Sequence, residues 1–286
     1  MFVLLEVIIG GLLLGAIYAL FSSGLTLVWG MMNIINFAHG DFVMLGMYAA
    51  FVVFKLFGVG PAAGVPFATL LLATFGVVLY FGLIRGIMKG PMLAQILGTF
   101  GLALLLRYSV FWWFGANFLS LPGNIVGGTF VFDGIHIEAS RLLAGVVALL
   151  VTWGLHLLLT RTALGSKMLA VAEDSTAAQL MGIRPDTMQA VAWAIAAGAT
   201  GLAGALIATF FYIVPTVGET LAIIAFVTVS LGGFGSVPGA LVAGLLIGVI
   251  ESLSGYLIGG AYKDIVVYAL FLSVLWFRPQ GLMGKT

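Results

Sequence analysis

The longest stretches of this sequence without a charge limit what the chain can fold into. Residues 7–40 and 220–250 contain no Asp, Glu, Lys or Arg. A helix over residues 7–40 would be about 50 Å long, whereas a bilayer core is only ~30 Å thick. Of all 286 residues, 62% are hydrophobic and 7% are charged, against about 25% charged in a soluble domain. The sequence therefore predicts a membrane protein, and it excludes a soluble enzyme, a disordered protein and, with a net charge of only +1, a nucleic-acid binder.

The apolar segments predict an all-α, polytopic transmembrane bundle that forms one domain over residues 1–286. Each crossing needs about 20 apolar residues, and residues 220–258 must enter and return, which gives about eight or nine passes. Residues 114–140 are predicted to form an external loop. Small residues four apart, such as Gly11 with Gly15, Gly82 with Gly86 and Gly244 with Gly248, predict close contacts between helices. The candidate crossings are 3–29, 41–57, 66–84, 92–113, 141–160, 188–213, 220–258 and 262–277.

The basic residues near the crossings predict the orientation, since cytoplasmic loops carry an excess of Lys and Arg. Most of them fall on one side, which is predicted to be the cytoplasmic side of the cell (inner) membrane. The N-terminus then lies outside and the C-terminus lies in the cytoplasm. The basic residues on this side are Arg85, Lys89, Arg161, Lys167, Arg184, Arg278 and Lys285.

Each of the two long uncharged runs contains an interruption, at 33–41 and at 232–239. Helices broken inside a membrane are tolerated where protein or water satisfies the freed backbone, and in transporters such breaks often face the substrate. The alternative is that both are ordinary cytoplasmic turns, in which Asp41 and Ser236 cap the next helix. The candidate translocation path consists of Asn33, Asn36, His39, Asp41 and Ser236, together with Glu251.

Two charged residues fall inside predicted helices. Arg107 is placed near the outer face, where a long side chain can reach the headgroups. Glu251 has a shorter reach, and a carboxylate inside a membrane normally faces the bundle interior or an aqueous cavity. We predict a structural, hydrogen-bonding role for Glu251, with a gate residue and a proton site as the alternatives. Neither a catalytic set with a nucleophile and a base nor a metal-ligand cluster is predicted.

The long polar loop over residues 161–187 is predicted to form two short cytoplasmic helices that join at Glu173 and Asp174. Thr176 and Gln179 have the spacing of a capping box, and Gly182 is expected to end the second helix. The loop can be a docking knob for a soluble partner. It can also be an amphipathic pair that lies on the bilayer surface.

Four segments, in this order along the chain, carry a resemblance to a known family: 36–41, 172–183, 231–240 and 278–282. They resemble segments that occur in the same order in the permease subunits of branched-chain amino-acid ABC importers, and most closely in the smaller, LivH-type subunit. The resemblance implies the ABC-importer permease fold, and it places the coupling helix, which fits into a cleft of an ATPase subunit, around residues 173–182. Its candidate contact residues are Glu173, Asp174, Ala177, Ala178 and Gly182.

The resemblance also implies the partners. A second, related permease would complete the channel as a heterodimer, two cytoplasmic ATPase subunits would use ATP, and an external binding protein would deliver the amino acid. This chain would bind no cofactor and would not be an enzyme, and its ending at 284–286 lacks the earlier glycine of a phosphate-binding loop. Relatives that carry urea or short amides share these segments. The alternative from another class is a proton-coupled secondary transporter that uses Glu251 or Asp41.

Overall fold

Eleven helices and one β-hairpin form the described part of the chain. The computed structural model describes residues 2–121, 125–132, 134–278 and 280–284. Seven of the helices there are long and apolar enough to cross a membrane, as the sequence predicted for a polytopic bundle. The helices are α1 (Phe2–Met32), α2 (His39–Phe57), α3 (Pro61–Ile87), α4 (Met92–Phe114), α5 (Ala139–Arg161), α6 (Ala163–Glu173), α7 (Ser175–Leu180), α8 (Pro185–Ile207), α9 (Val217–Gly232), α10 (Val237–Leu257) and α11 (Lys263–Phe277).

The connections between the helices lie at two ends of the bundle. We call the basal end the one that carries the connections at 33–38, 88–91, 162–184 and 233–236. The end of α1 meets the α9–α10 turn there, where the amide of Gly235 donates to Thr26 Oγ1 at 3.1 Å. At the opposite, apical end, Leu119 and Ile213 form a β-bridge between the α4–α5 and α8–α9 connections.

The long α1 packs along α10 through glycines. A Cβ on Gly15 would lie 2.5 Å from the Gly244 carbonyl oxygen, and one on Gly244 would lie 2.6 Å from the Ala19 amide nitrogen. The close helix contact predicted for these glycines is therefore confirmed, because only hydrogen fits between the two backbones. The same prediction is wrong for Gly82 and Gly86, since nothing described lies within 4 Å of a Cβ at either position.

The interruption at 33–38 is more than a surface turn. His39 Nε2–H, in the first turn of α2, donates to the Phe21 carbonyl at 2.7 Å, well before the basal end of α1. Residues 33–38 therefore run from the basal end back into the bundle, beside α1. Thr99 of α4 holds this segment by donating to the Ile35 carbonyl at 2.9 Å. Since Ala38 is the N-cap residue of α2, Asp41 does not have the capping role that we considered.

The second interruption is a tight turn between two helices. The chain turns from α9 to α10 through Gly233 and Gly235, both of which have positive φ. Ser236 caps α10, because its Oγ accepts from the Gly239 amide at 3.1 Å. The turn-and-cap alternative is thus confirmed here. With 16 residues, α9 is about 24 Å long, shorter than a ~30 Å bilayer core.

The apical connection that was predicted to be a loop, 114–140, contains a hairpin. Strand β1 (Thr129–Phe132) pairs antiparallel with β2 (Ile135–Glu138). The hairpin sits beside the start of α1, where Glu6 accepts from the His136 amide at 2.6 Å. Residues 122–124 and Asp133 in this loop lie outside the described part, as do Pro279 and Lys285.

Candidate functional site

The connection at 162–184 forms a two-helix projection at the basal end, which we call the basal knob (residues 163–182). The predicted pair of short helices is confirmed as α6 and α7. The N-cap of α7 is Asp174, whose Oδ1 accepts from the amides of Thr176 and Ala177 at 2.8 and 2.9 Å. The capping box expected at Thr176 is therefore wrong. Gly182 follows α7 with φ +81°, a conformation that favours glycine.

The basal knob is fixed to the membrane helices by one apolar face. Met168 and Val171 of α6 and Ala178 of α7 are buried, in one cluster with Met31 of α1 and Ala192 of α8. Ala178 therefore packs against its own chain and is not on the accessible face that the sequence predicted for it. Of the other candidate coupling residues, Glu173, Asp174, Ala177 and Gly182 are exposed.

Two exposed apolar residues at the end of the basal knob escaped the sequence analysis. Leu180 and Met181 are 85% and 82% exposed. The signal was present, because Leu180, the last residue of α7, and Met181, directly after it, are two adjacent apolar residues within a polar connection. An apolar pair held away from the bundle in this way is typical of a contact surface for another protein.

Beside this packed face, a cavity of about 570 Å³ lies between the basal knob and the ends of the membrane helices. Its lining includes Asn33, Glu173 and Ser236, together with Trp29 and Phe234. The structure thus brings two candidate translocation residues, Asn33 and Ser236, next to one candidate coupling residue.

An ion cluster joins three helices within the bundle. Arg107 of α4 donates to Asp41 of α2 at 3.2 and 3.4 Å and to Glu219 of α9 at 3.0 Å. The Asp41 side chain is fully buried, the Arg107 side chain is 19% exposed, and Glu219 is largely exposed. The prediction that Arg107 reaches the headgroups is wrong, because its guanidinium neutralises Asp41 instead.

Two further candidate residues of the path, Asn36 and His39, are buried beside this cluster. Asn36 Oδ1 accepts from the Ala38 amide at 3.1 Å, while its Nδ2 has no hydrogen-bond partner among the described residues. His39 is satisfied by Phe21. These contacts explain how the polar groups fit inside the bundle, and a role in translocation stays a prediction.

A second ion cluster lies on the other side of α9. Glu251 of α10 accepts from the hydroxyl of Tyr18 of α1 at 2.8 Å and from the ammonium of Lys263 of α11. The predicted hydrogen-bonding environment of Glu251 is present, and it ties α1, α10 and α11 together. Beside it lies a smaller cavity of about 170 Å³, which Thr220 of α9 also lines.

Neither cluster has the composition of a metal site. Among the residues that the structure describes, no group of three or more His, Asp or Glu side chains could hold a metal ion. Each carboxylate of the two clusters has instead a basic partner, Arg107 or Lys263.

Comparison with known proteins agrees with this architecture. Residues 7–275 match the family described as the permease component of the branched-chain amino acid transport system. The chain belongs to this permease family. The permease is 34% identical to the high-affinity branched-chain amino acid transport permease BraD of Pseudomonas aeruginosa, over 98% of this chain and 96% of the relative. It is 30% identical to LivH of Escherichia coli K12, over the same shares of the two chains.

A second type of permease is also related to this one. LivM of Escherichia coli K12, described as a permease of the same kind of system, is 29% identical over 94% of this chain and 68% of its own length. No solved structure matches the chain.

Proposed function

We propose that this permease forms half of the channel of an ATP-driven importer for branched-chain amino acids. The family and the relatives BraD and LivH, which are described as high-affinity branched-chain amino acid permeases, support this substrate class. LivH and LivM of one bacterium are both similar to this chain, and we therefore propose a related permease as its partner. Two ATPase subunits and an external binding protein complete the complex.

We propose that the basal end faces the cytoplasm. It carries Arg85, Arg161, Lys167 and Arg184 at or near its connections, and an excess of basic residues is typical of cytoplasmic loops. The N-terminus then lies outside and the C-terminus inside. The apical hairpin and the 258–262 connection face the exterior, where a binding protein would dock.

The single observation that carries the proposal is the form of the basal knob. It exposes Leu180 and Met181 to a partner while Met168, Val171 and Ala178 fix it to the membrane helices. A partner that binds the exposed pair can therefore move the ends of α1 and α8, because the basal knob between them is packed against both helices. ATP bound by that partner would supply the energy for this movement.

A proton-coupled transporter is the weaker candidate. Its proton sites would be Asp41 or Glu251, and each of these carboxylates is already paired with a basic side chain. A proton would have to displace Arg107 or Lys263 from a buried contact, which is costly inside a bundle.

Uptake by the complete complex in proteoliposomes tests the function. We expect ATP-dependent accumulation of L-leucine, with L-isoleucine and L-valine as competitors and urea without effect. Accumulation by this permease alone, driven by a pH gradient, would contradict the proposal and support the secondary transporter.

The coupling role has its own test. Replacing both Leu180 and Met181 by serine removes the exposed apolar pair and leaves the buried face intact. We expect uptake to fall by about tenfold or more, because apolar anchors at such contacts typically contribute at least 1–2 kcal/mol. Leu70→Ser, at a leucine of α3 that is 69% exposed and lies away from both ends of the bundle, is the control. Equal uptake by the two variants would argue against the coupling surface.

A further inference from the structure

The cavity beside Glu251, which we call the apical cavity, has an apolar and a polar part to its lining. The apolar part includes four aliphatic side chains that are almost completely buried: Leu14, Ile207, Leu221 and Ile224. The polar part carries Glu251, Lys263, Asp264 and the hydroxyl of Thr220. Lys263 and Asp264 begin α11 at the apical end, so that the polar part faces the side from which a solute would arrive on the proposed function.

The apolar part has room for a small aliphatic group. The whole cavity, with its polar and apolar lining, has a volume of about 170 Å³. An apolar cavity of about 150 Å³ is known to hold benzene, which has six heavy atoms. A branched side chain of three or four carbons therefore fits, whereas an indole ring needs more space. Burial of such a group against four aliphatic side chains is favourable.

The polar part suits a zwitterion. Lys263 supplies a cation that is about one-third exposed, and Glu251 and Asp264 supply carboxylates beside it. Tyr18 holds one oxygen of Glu251, while the other oxygen pairs with Lys263. An incoming carboxylate can share the Lys263 ammonium, and an incoming ammonium can share the acidic oxygens. A second carboxylate on the ligand would meet two acidic side chains and is disfavoured.

We propose that the apical cavity is a subsite for a zwitterionic amino acid with a branched aliphatic side chain. Its carboxylate shares the Lys263 ammonium and its ammonium shares the acidic oxygens, so that the Glu251–Lys263 contact is kept, and its side chain enters the space between Leu14, Leu221 and Ile224. This inference rests on the proposed function and deepens it, since it places selectivity within the permease itself. Helix α9 contributes Thr220, Leu221 and Ile224 to this subsite, and its first turn also contacts Arg107 through Glu219.

The test is equilibrium binding of radiolabelled L-leucine to the complete permease–ATPase complex in lipid nanodiscs, without binding protein. Ile224→Phe fills the cavity, and the adjacent Ile223→Phe makes the same change at a position that is 42% exposed and outside the lining. We expect saturable binding by the wild type and Ile223→Phe. We expect Ile224→Phe to weaken binding by about tenfold or more, because the larger side chain occupies the space that the side chain of the ligand would enter.

Three further measurements keep the proposal open to refutation if Ile224→Phe fails to fold. Ile224→Ala enlarges the cavity and is expected to shift the preference from L-leucine towards L-phenylalanine. Lys263→Met is expected to abolish leucine binding, and Lys263→Arg is expected to retain it. With the wild type, L-glutamate is expected to compete much less well than L-valine.

The outcomes separate this inference from the proposed function. Unchanged leucine binding by Ile224→Phe, or absent binding by a wild-type complex that still accumulates leucine, overturns the subsite and leaves the importer intact. A wild-type complex that accumulates no amino acid with ATP and binding protein overturns the function itself.

Discussion

Replacing Arg107 by methionine tests whether the ion cluster of α2, α4 and α9 holds the bundle together. Methionine keeps the unbranched apolar stem of the side chain and removes the charged guanidinium. The Asp41 carboxylate, whose side chain is fully buried, is then left without its cation. Removing one partner of a buried ion pair costs about 3–5 kcal/mol. The Glu219 contact adds little to this, since that side chain is 64% exposed.

The assay is thermal unfolding of the purified permease in detergent, in which the loss of the monodisperse species is measured as the temperature rises. We expect the midpoint of thermal unfolding to fall by roughly 10 °C for Arg107→Met, because each kcal/mol of lost stability lowers the midpoint by about 2–4 °C in a protein of about this size. The double variant Asp41→Asn/Arg107→Gln removes both charges and should recover most of this loss, because no buried charge is left unpaired.

The chain contains its own control for this experiment. Arg85 and Asp186 form an ion pair at 2.7 Å in which both side chains are about half exposed. Such a pair contributes about 0–1 kcal/mol, so that Arg85→Met should change the midpoint by no more than a few degrees. A drop for Arg107→Met no larger than that for Arg85→Met would refute the reasoning.

Two other predictions concern packing and capping. Gly244→Val should reduce the yield of folded permease and lower the free energy of unfolding by about 3 kcal/mol or more, because the new side chain meets the backbone of Ala19. The control is Gly154→Val, since nothing described lies within 4 Å of a Cβ at that position, and equal yields of the two variants would contradict the prediction. Asp174→Ala should destabilise α7 by about 0.5–2 kcal/mol, whereas Asp174→Ser should not, because serine can also cap a helix. Amide hydrogen exchange over residues 175–180 measures this difference, and equal protection in the two variants would argue against the cap.

The two ion clusters give the short helix α9 a defined place in the bundle. Glu219, near its start, contacts Arg107 on one side, and Thr220 and Leu221 line the cavity of the Glu251 cluster on the other. At its other end, the Leu231 carbonyl accepts from the Leu282 amide at 2.7 Å, so that the C-terminal segment also contacts α9. These polar contacts therefore fix α9 at both of its ends.

The sequence by itself determined the membrane-spanning helical fold, the positions of most helices, the basal knob and the family. These features depend on local composition and on short patterns, such as apolar runs of about 20 residues and glycines four residues apart. Each can be recognised without knowing which parts of the chain meet.

Only the tertiary structure decided the partners of the charged residues and the accessible face of the basal knob. Arg107 reaches Asp41 and not the headgroups, Lys263 reaches Glu251, and Ala178 is covered by its own chain. The physical reason is that a buried charge must be paired inside a bundle, and the pairing side chains come from helices that are distant in sequence. No local pattern specifies which helices will be neighbours, whereas their packing specifies every one of these contacts.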